Sequence, residues 1–177
     1  MNFPSGAKSV QPRTEQIILF RVSGQMFAIS SASVQEVRSV DNISGMAKDL
    51  PESHLKKVRH SIRRADRTLY IVNAAIHFGL RPQPASLVFF LRRTRTALLV
   101  DGIEKMTTMT RLQALSQAFQ GEERGWYRGL TALDQAVIPV VLPEGFLSLE
   151  ELTILESAQM TADSLSSSPQ NSGASVQ

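Results

Sequence analysis

Two apolar runs in the middle of the chain, separated by a short polar segment, form its clearest pattern. Residues 87–91 (LVFFL) and 97–100 (ALLV) carry no charge, whereas residues 92–96 (RRTRT) between them contain three arginines. Runs of this length, rich in aliphatic and aromatic residues, favour a pleated backbone. Since neither run alternates with polar residues, we predict a β-hairpin that is buried on both faces. It is predicted to end at Asp101-Gly102, where glycine can adopt a positive φ.

Three further pairs of short runs predict hairpins in the rest of the chain. Each pair flanks a turn that contains glycine or aspartate, because glycine tolerates a positive φ and aspartate hydrogen-bonds to nearby backbone. The predicted strand pairs are 17–22 with 25–29, 57–63 with 68–72, and 126–130 with 136–141. The predicted turn residues, including the one that ends the central hairpin, are Gly24, Asp66, Gly102 and Asp134.

Besides short helical turns after Pro51 and Asn73, helices are predicted at three places. The segment from Ser33 to Val40 combines a capping-box pattern with valines at every third position. Residues 110–120 place apolar side chains on one helical face. A second capping-box pair, Ser148 and Glu151, begins a predicted C-terminal helix.

The hairpins repeat along the chain. Shifting residues 17–30 by 70 positions aligns them with the central hairpin, residues 87–100, and superposes the two turns. A shift of 68 positions aligns the second hairpin with the last one and matches Asp66 with Asp134. Two matches at similar shifts indicate a duplication. The physical interpretation is two small antiparallel barrels that pack against each other, because neither alone buries enough apolar surface.

Composition and charge restrict the class of protein. With 177 residues, 42% hydrophobic content and a net charge of +3, the chain can bury one substantial core. It has no cysteine, which excludes disulfides and thiolate metal sites. No apolar stretch approaches the ~20 residues of a membrane span, and the N-terminus lacks the apolar segment of a signal peptide. We therefore expect a cytoplasmic protein with no direct membrane insertion. The polar ends, residues 1–14 and 159–177, are predicted to be disordered.

No set of residues predicts catalysis. His54, His60 and His77 are too scattered to form a ligand set, and His60 falls on the apolar side of its strand, where a core histidine is expected. Asp66 and Asp134 fit turns better than a carboxylate pair. No glycine-rich phosphate loop follows any predicted strand. We therefore predict no catalytic site, no cofactor and no metal.

Basic residues cluster in the second hairpin and at the tip of the central one. Residues 56–67 contain six lysines and arginines against one acid, and residues 92–95 contain three arginines. This cluster is compatible with a solvated strand face, with steering toward an acidic protein surface, or with nucleic-acid binding. Nucleic acid is the least favoured of the three, because the cluster lacks interleaved aromatic residues for base stacking.

The order of these motifs resembles the CheW family of chemotaxis adaptors over about residues 15–152. Four segments carry the resemblance: SVQEVR (33–38), LYIVNAAIHFGL (69–80), the central hairpin through VDG (100–102), and YRGLTALDQAVIPVV (127–141). It implies a mainly β fold of two intertwined SH3-like five-stranded antiparallel β-barrels with short helices and an extra C-terminal helix. The implied domain covers residues 15–158, with residues 30–85 in one barrel and residues 15–29 with 86–158 in the other.

The resemblance also implies a function. CheW-like proteins are non-catalytic scaffolds that couple the cytoplasmic helical tips of chemoreceptors to the regulatory domain of a CheA-type histidine kinase, itself a CheW-like fold. The chain departs from the family at a turn where Asn-Leu-Arg-Gly is usual, since Arg63, Arg64, Ala65 and Asp66 stand there. Arg64 can supply the charge of the missing arginine from one position earlier.

Residues near the junction of the two barrels are the expected partner contacts. The groove between barrels fits the apolar ridge of a helical hairpin. The predicted protein-binding residues are Val34, Val37, Ile62, Arg64 and Leu98. Two alternatives remain open: a basic SH3-like barrel that binds nucleic acid, and a CheW-like competitor that does not couple to a kinase.

Overall fold

The computed structural model describes residues 14–50 and 55–167. Within these ranges the chain forms eleven strands and two α-helices. The strands are β1 (Glu15–Val22), β2 (Gln25–Ser30), β3 (Val34–Ser39), β4 (Ala47–Asp49), β5 (Val58–Arg64), β6 (Arg67–Asn73), β7 (Leu87–Leu91), β8 (Thr96–Val100), β9 (Gly102–Met109), β10 (Tyr127–Leu133) and β11 (Ala136–Val141). The helices are α1 (Ala74–His77) and α2 (Leu149–Ser166).

The strands form two sheets, and the chain crosses between them after each of two hairpins. The first sheet has the order β10-β11-β2-β1-β9, and the second has the order β3-β7-β8-β6-β5-β4. Hairpin β1–β2 belongs to the first sheet, but the next strand, β3, pairs with β7 in the second. Hairpin β7–β8 belongs to the second sheet, but the next strand, β9, pairs with β1 in the first. The two sheets are therefore intertwined, as predicted.

The topology differs from the prediction in three details. Each sheet contains one parallel strand pair, β11 with β2 in the first and β6 with β8 in the second. The second sheet has six strands, because the short strand β4 extends it beyond β5. The central hairpin β7–β8 lies in the sheet built from residues 34–100, whereas the predicted boundary at residue 85 grouped it with residues 15–29.

The two sheets repeat the same arrangement. In each sheet, two hairpins are joined by one parallel strand pair, β11 with β2 in the first and β6 with β8 in the second. A further strand pairs with the outer strand of one hairpin: β9 with β1 in the first sheet and β3 with β7 in the second. The β-bulges repeat too. In β3 the residue without a cross-strand partner is Gln35, and in β9 it is Glu104. In β5 it is Arg59, and in β10 it is Arg128. Both pairs are 69 positions apart. The last hairpin therefore aligns with the second at a shift of 69, one more than the predicted 68.

Apolar side chains pack into three cores. One is shared between the two sheets, and each sheet also has an inner core of its own. Alternate residues of β1 and β7 point to different cores: Ile18, Phe20, Phe89 and Leu91 to the shared core, and Ile17, Leu19, Val88 and Phe90 to the inner ones. The central hairpin is thus buried on both faces, as its unbroken apolar runs predicted. Burying each such side chain contributes about 1.5–3 kcal/mol.

The helix predicted from Ser33 to Val40 is wrong, since these residues form a 3-10 turn and strand β3. The bulge at Gln35 gives the physical reason. An extra residue on one strand places side chains three positions apart on the same face, so Val34 and Val37 both lie opposite residues of the shared core. A spacing of three therefore fits a bulged strand as well as a helix.

The helix predicted at residues 110–120 is also wrong. Gln113 is extended and forms an antiparallel bridge with Leu130 in β10, with two N–H···O bonds of 2.8 Å. This pairing satisfies backbone groups that a helix would otherwise use. Gly129 makes room for it, because a Cβ at that position would lie 2.3 Å from the Gln113 carbonyl oxygen. The bridge links the segment after β9 to β10, at the opposite edge of the first sheet.

The C-terminal helix α2 begins as predicted and is longer than predicted. The Ser148 hydroxyl accepts a bond of 3.1 Å from the Glu151 N–H, and the Ser148 N–H donates one of 2.9 Å to the Glu151 carboxylate. Residues 159–166, predicted as part of a disordered tail, are helical. The rest of the predicted disorder, apart from residues 14 and 167, lies outside the described residues.

Three of the four predicted turn residues lie in hairpin turns. Gly24 has a φ of +79° and Asp134 a φ of +49°, both in the left-handed region. Asp66 lies one position after Ala65. With a φ of +53°, Ala65, and not Asp66, is the structural match of Asp134. Gly102 instead begins β9, and its φ is outside the left-handed region, so the prediction for this glycine is wrong.

Candidate docking surface

Strand β3 places two predicted contact residues at a sheet edge. Within the described residues, β3 pairs with β7 alone. Val34 is 8% exposed and Val37 is 36% exposed, and both lie on the face toward the shared core. We call these two residues the β3 rim. An apolar side chain at an unpaired edge can contact a partner while the core stays closed.

A second rim of the same kind lies on β9, and the sequence analysis missed it. Ile103 and Met106 follow Val34 and Val37 by 69 positions, and they are 41% and 62% exposed. They lie opposite residues of β1 that belong to the shared core. Strand β9 is the edge strand of the first sheet, as β3 is of the second. We call Ile103 and Met106 the β9 rim; the internal repeat was the signal that could have identified it.

Two predicted contact residues, Ile62 and Leu98, lie in the interior. Ile62 is 1% exposed and belongs to the inner core of the second sheet. Leu98 is fully buried in the shared core. A partner could reach either side chain only if the core opened, so we leave both out of the docking surface.

Arg64, at the end of β5, lines a surface depression of about 560 Å³. The depression lies at the β5–β6 turn, next to Gln35 and Arg38 of β3. We call it the arginine cleft, because five arginines line it: Arg38, Arg63, Arg64, Arg67 and Arg93. Of these, Arg63, Arg67 and Arg93 are exposed and form no ion pair with another described residue.

Glu36 connects two arginines of the cleft. Its carboxylate accepts a bond of 2.6 Å from the Arg64 guanidinium and a second bond from Arg38. The bonds from Arg38 and Arg64 lower the pKa of Glu36 below its ordinary value, so this carboxyl is ionised near neutral pH. The Arg64 guanidinium also stacks over the Phe90 ring, 4.6 Å from its centroid. Arg64 is therefore held in a defined position at the cleft.

The first sheet has a matching depression of about 490 Å³ at the β10–β11 turn, which we call the first-sheet cleft. Its lining is apolar and of mixed charge, and includes Met26, Lys105, Leu133, Asp134 and Val137. Two residues of this lining, Lys105 and Asp134, form an exposed ion pair in which Nζ lies 3.6 Å from Oδ2. The two clefts thus occupy repeat-related places but present different chemistry.

The two described histidines, His60 and His77, form no ligand set. His60 is not the core residue that was predicted, since its side chain is 44% exposed; its Nδ1 lies 2.8 Å from Asp49 Oδ1. His77 is buried; this burial, and Lys57 at 3.3 Å from its Nδ1, lower its pKa to about 3. His54 lies outside the described residues. In the described part of the chain, no three His, Asp or Glu side chains are grouped so as to hold a metal ion.

None of the helices in the described ranges is long and apolar enough to span a bilayer.

Two intertwined sheets with repeated topology around a shared core define a double β-domain of the SH3-like class. A family model described as the CheW-like domain matches residues 16–151, and the chain belongs to this family. One curated relative, "Probable chemotaxis protein CheW" of Rhizobium etli, is 27% identical over 151 residues, covering 81% of this chain and 94% of the relative. The crystal structure of the scaffolding protein TtCheW from Thermoanaerobacter tengcongensis superposes with a TM-score of 0.66 at 12% identity, covering 78% of this chain and 96% of that one. The predicted family and fold class are confirmed.

Proposed function

We propose that this protein is a non-catalytic chemotaxis adaptor that acts in the cytoplasm. In this role it couples the cytoplasmic tips of chemoreceptors to the regulatory domain of a CheA-type histidine kinase. Membership in the CheW-like domain family supports the proposal. The curated relative, a probable chemotaxis protein, and the structural neighbour, a scaffolding protein, support it as well.

The observation that carries the proposal is the pair of apolar rims on different edge strands. An adaptor has to bind two partners at the same time, so it needs two separate surfaces. The β3 rim belongs to the second sheet and the β9 rim to the first. Each partner would therefore contact a different strand.

We assign the receptor to the β3 rim and the kinase to the β9 rim. A receptor tip is a helical hairpin, and its apolar ridge can lie along an apolar edge. On β3 such a ridge would meet Val37, with the arginine cleft alongside. The kinase regulatory domain is itself a β fold, and an edge strand such as β9 can pair with the edge of another sheet.

Two aspartate variants test this assignment and serve as controls for each other. Val37→Asp is expected to weaken binding of a receptor tip fragment about tenfold or more, because an unpaired carboxylate in an apolar contact is costly, while kinase binding stays within about twofold. Met106→Asp is expected to do the reverse. Co-sedimentation measures receptor binding, and titration calorimetry measures binding of the kinase regulatory domain. Val37 is preferred to Val34, where aspartate would place a charge in the shared core.

The outcomes separate the alternatives. A wild-type protein that binds neither partner contradicts the adaptor role. One that binds the receptor fragment but not the kinase domain is the competitor. If both variants keep both partners, or if one variant loses both with an unchanged unfolding temperature, the assignment of partners to rims is wrong.

A further inference from the structure

We propose that the arginine cleft binds a carboxylate-rich segment of a protein partner, and that Glu36 competes with this segment for Arg64 and Arg38 in the free protein. The inference rests on the adaptor role proposed above, because it names the chemistry of a partner that lies beside the β3 rim. It concerns the face of β3 that carries Glu36 and Arg38.

The charge balance of the cleft favours an anionic ligand. Five arginines line it, against Asp66 in the lining and Glu36 next to it. Three of the five, Arg63, Arg67 and Arg93, have no ion-pair partner among the described residues. Guanidinium groups donate paired hydrogen bonds that match the two oxygens of a carboxylate.

The fold does not require these arginines. At a shift of 69 positions, Leu133 stands in the first sheet where Arg64 stands in the second, and Ala136 stands where Arg67 does. The two pairs occupy the same places in their hairpins, since each is the last cross-strand pair before the turn. Because the same framework folds with apolar residues at these positions, the arginines point to a ligand.

Glu36 already occupies the position that a ligand carboxylate would take. It accepts bonds from Arg64 and Arg38, and its side chain is 30% exposed, so solvent and a partner can reach the group. Arg64 remains in place through its contact with Phe90, 4.6 Å from the ring centroid. An incoming carboxylate can therefore replace Glu36 without a rearrangement of Arg64.

A protein carboxylate fits the cleft better than nucleic acid does. Binding of single-stranded nucleic acid combines basic residues with exposed aromatic rings on which bases stack. Phe90, the ring that Arg64 covers, is 1% exposed, and the cleft lining contains no aromatic residue.

The test uses the full chain and a fluorescein-labelled hexaglutamate peptide, with fluorescence anisotropy as the readout. Glu36→Gln is expected to bind the peptide about tenfold more tightly than the wild type, because the internal competitor loses its charge. Arg64→Met is expected to bind about tenfold more weakly. Arg63→Gln is a second variant expected to weaken peptide binding. This side chain is exposed and forms no ion pair with another described residue, so its replacement should leave the fold intact. Arg21→Met is the matched control, because Arg21 pairs with Glu104 at 2.9 Å in the first sheet; its binding should equal that of the wild type.

Several results would overturn the inference. Equal or weaker binding by Glu36→Gln would show that Glu36 is not a competitor. Unchanged binding by both Arg64→Met and Arg63→Gln would show that the cleft is not the site. Tighter binding of a labelled oligothymidylate than of hexaglutamate at the same salt would make nucleic acid the ligand. Since none of these experiments depends on Val37 or Met106, the adaptor role is judged separately by the variants at the two rims.

Discussion

The two sheets follow one plan but present different surfaces at the same place in that plan. Strand order, parallel pairs and bulge positions agree between them at shifts of 69 and 70 positions. Yet the cleft of the second sheet is lined by five arginines, whereas the first-sheet cleft is apolar and of mixed charge. Features that both sheets share, such as strand order and bulge positions, are therefore needed for the fold. The arginines, which only the second sheet carries at its cleft, are available for recognising a partner.

The halves also differ in how each sheet is completed. In the second sheet, strand β4 adds three residue pairs to β5. In the first sheet, one bridge from Gln113 to Leu130 takes that place, and a separate ion pair of Glu15 with Arg128 joins β1 to β10. After β6 the chain forms the four-residue helix α1, whereas after β11 it forms a 3-10 turn at Pro143–Gly145 and then the 18-residue helix α2. These differences predict effects of decreasing size.

The largest effect is expected from α2, which has no counterpart of similar length after β6. Leu155 is fully buried in the shared core, whereas Leu165 on the same helix is 75% exposed. Leu155→Ala should lower the free energy of unfolding by about 2–5 kcal/mol, because it leaves a cavity in a packed core. Leu165→Ala should change it by less than about 0.5 kcal/mol. Urea denaturation measures both, and equal effects would show that α2 is not anchored in the shared core.

A smaller effect is expected from the bridge that completes the first sheet. Gly129→Ala brings a Cβ within 2.3 Å of the Gln113 carbonyl oxygen, so the bridge has to separate or the strand has to shift. The expected cost is about 1–3 kcal/mol of unfolding free energy, as for other overpacked sites. Hydrogen exchange of the Gln113 and Leu130 amides should become faster. Gly125→Ala, where a Cβ would meet nothing within 4 Å, is the control; an equal loss there would contradict the explanation.

The fold was predictable because its signals are local. Each hairpin is encoded within one short stretch by two apolar runs and a turn, and the duplication follows from comparing those stretches. The two wrong helices depended on distant partners. The three-residue spacing in β3 reflects a bulge opposite β7, and the segment around Gln113 is extended because Leu130 pairs with it. Neither partner is visible in the local pattern.

The docking surface was harder to predict because many strands are apolar on both faces. In such strands, hydrophobicity does not distinguish Val37, at an open edge, from Leu98, in the shared core. Arg64 was identifiable from its charge and its place at the turn. Ile103 and Met106 were missed because their strand, GIEKMTTM, is mostly polar and looks unremarkable without the repeat.

The smallest effect is expected from the ion pair that joins β1 to β10. Arg128 donates bonds of 2.8 and 3.0 Å to the Glu15 carboxylate and so lowers its pKa below the ordinary 4.5. Glu15→Gln should reduce the unfolding free energy at pH 7 by about 0.5–1 kcal/mol, since both side chains are partly exposed. Because the folded-state pKa is the lower one, the contribution is complete above pH 4.5 and is lost as the pH falls through the folded value. The difference between variant and wild type should therefore vanish at strongly acidic pH, whereas Asp134→Asn, at an 89% exposed side chain, should show no difference at either pH. A difference for Glu15→Gln that persists in acid would mean that Glu15 stabilises the first sheet through contacts that do not need its charge.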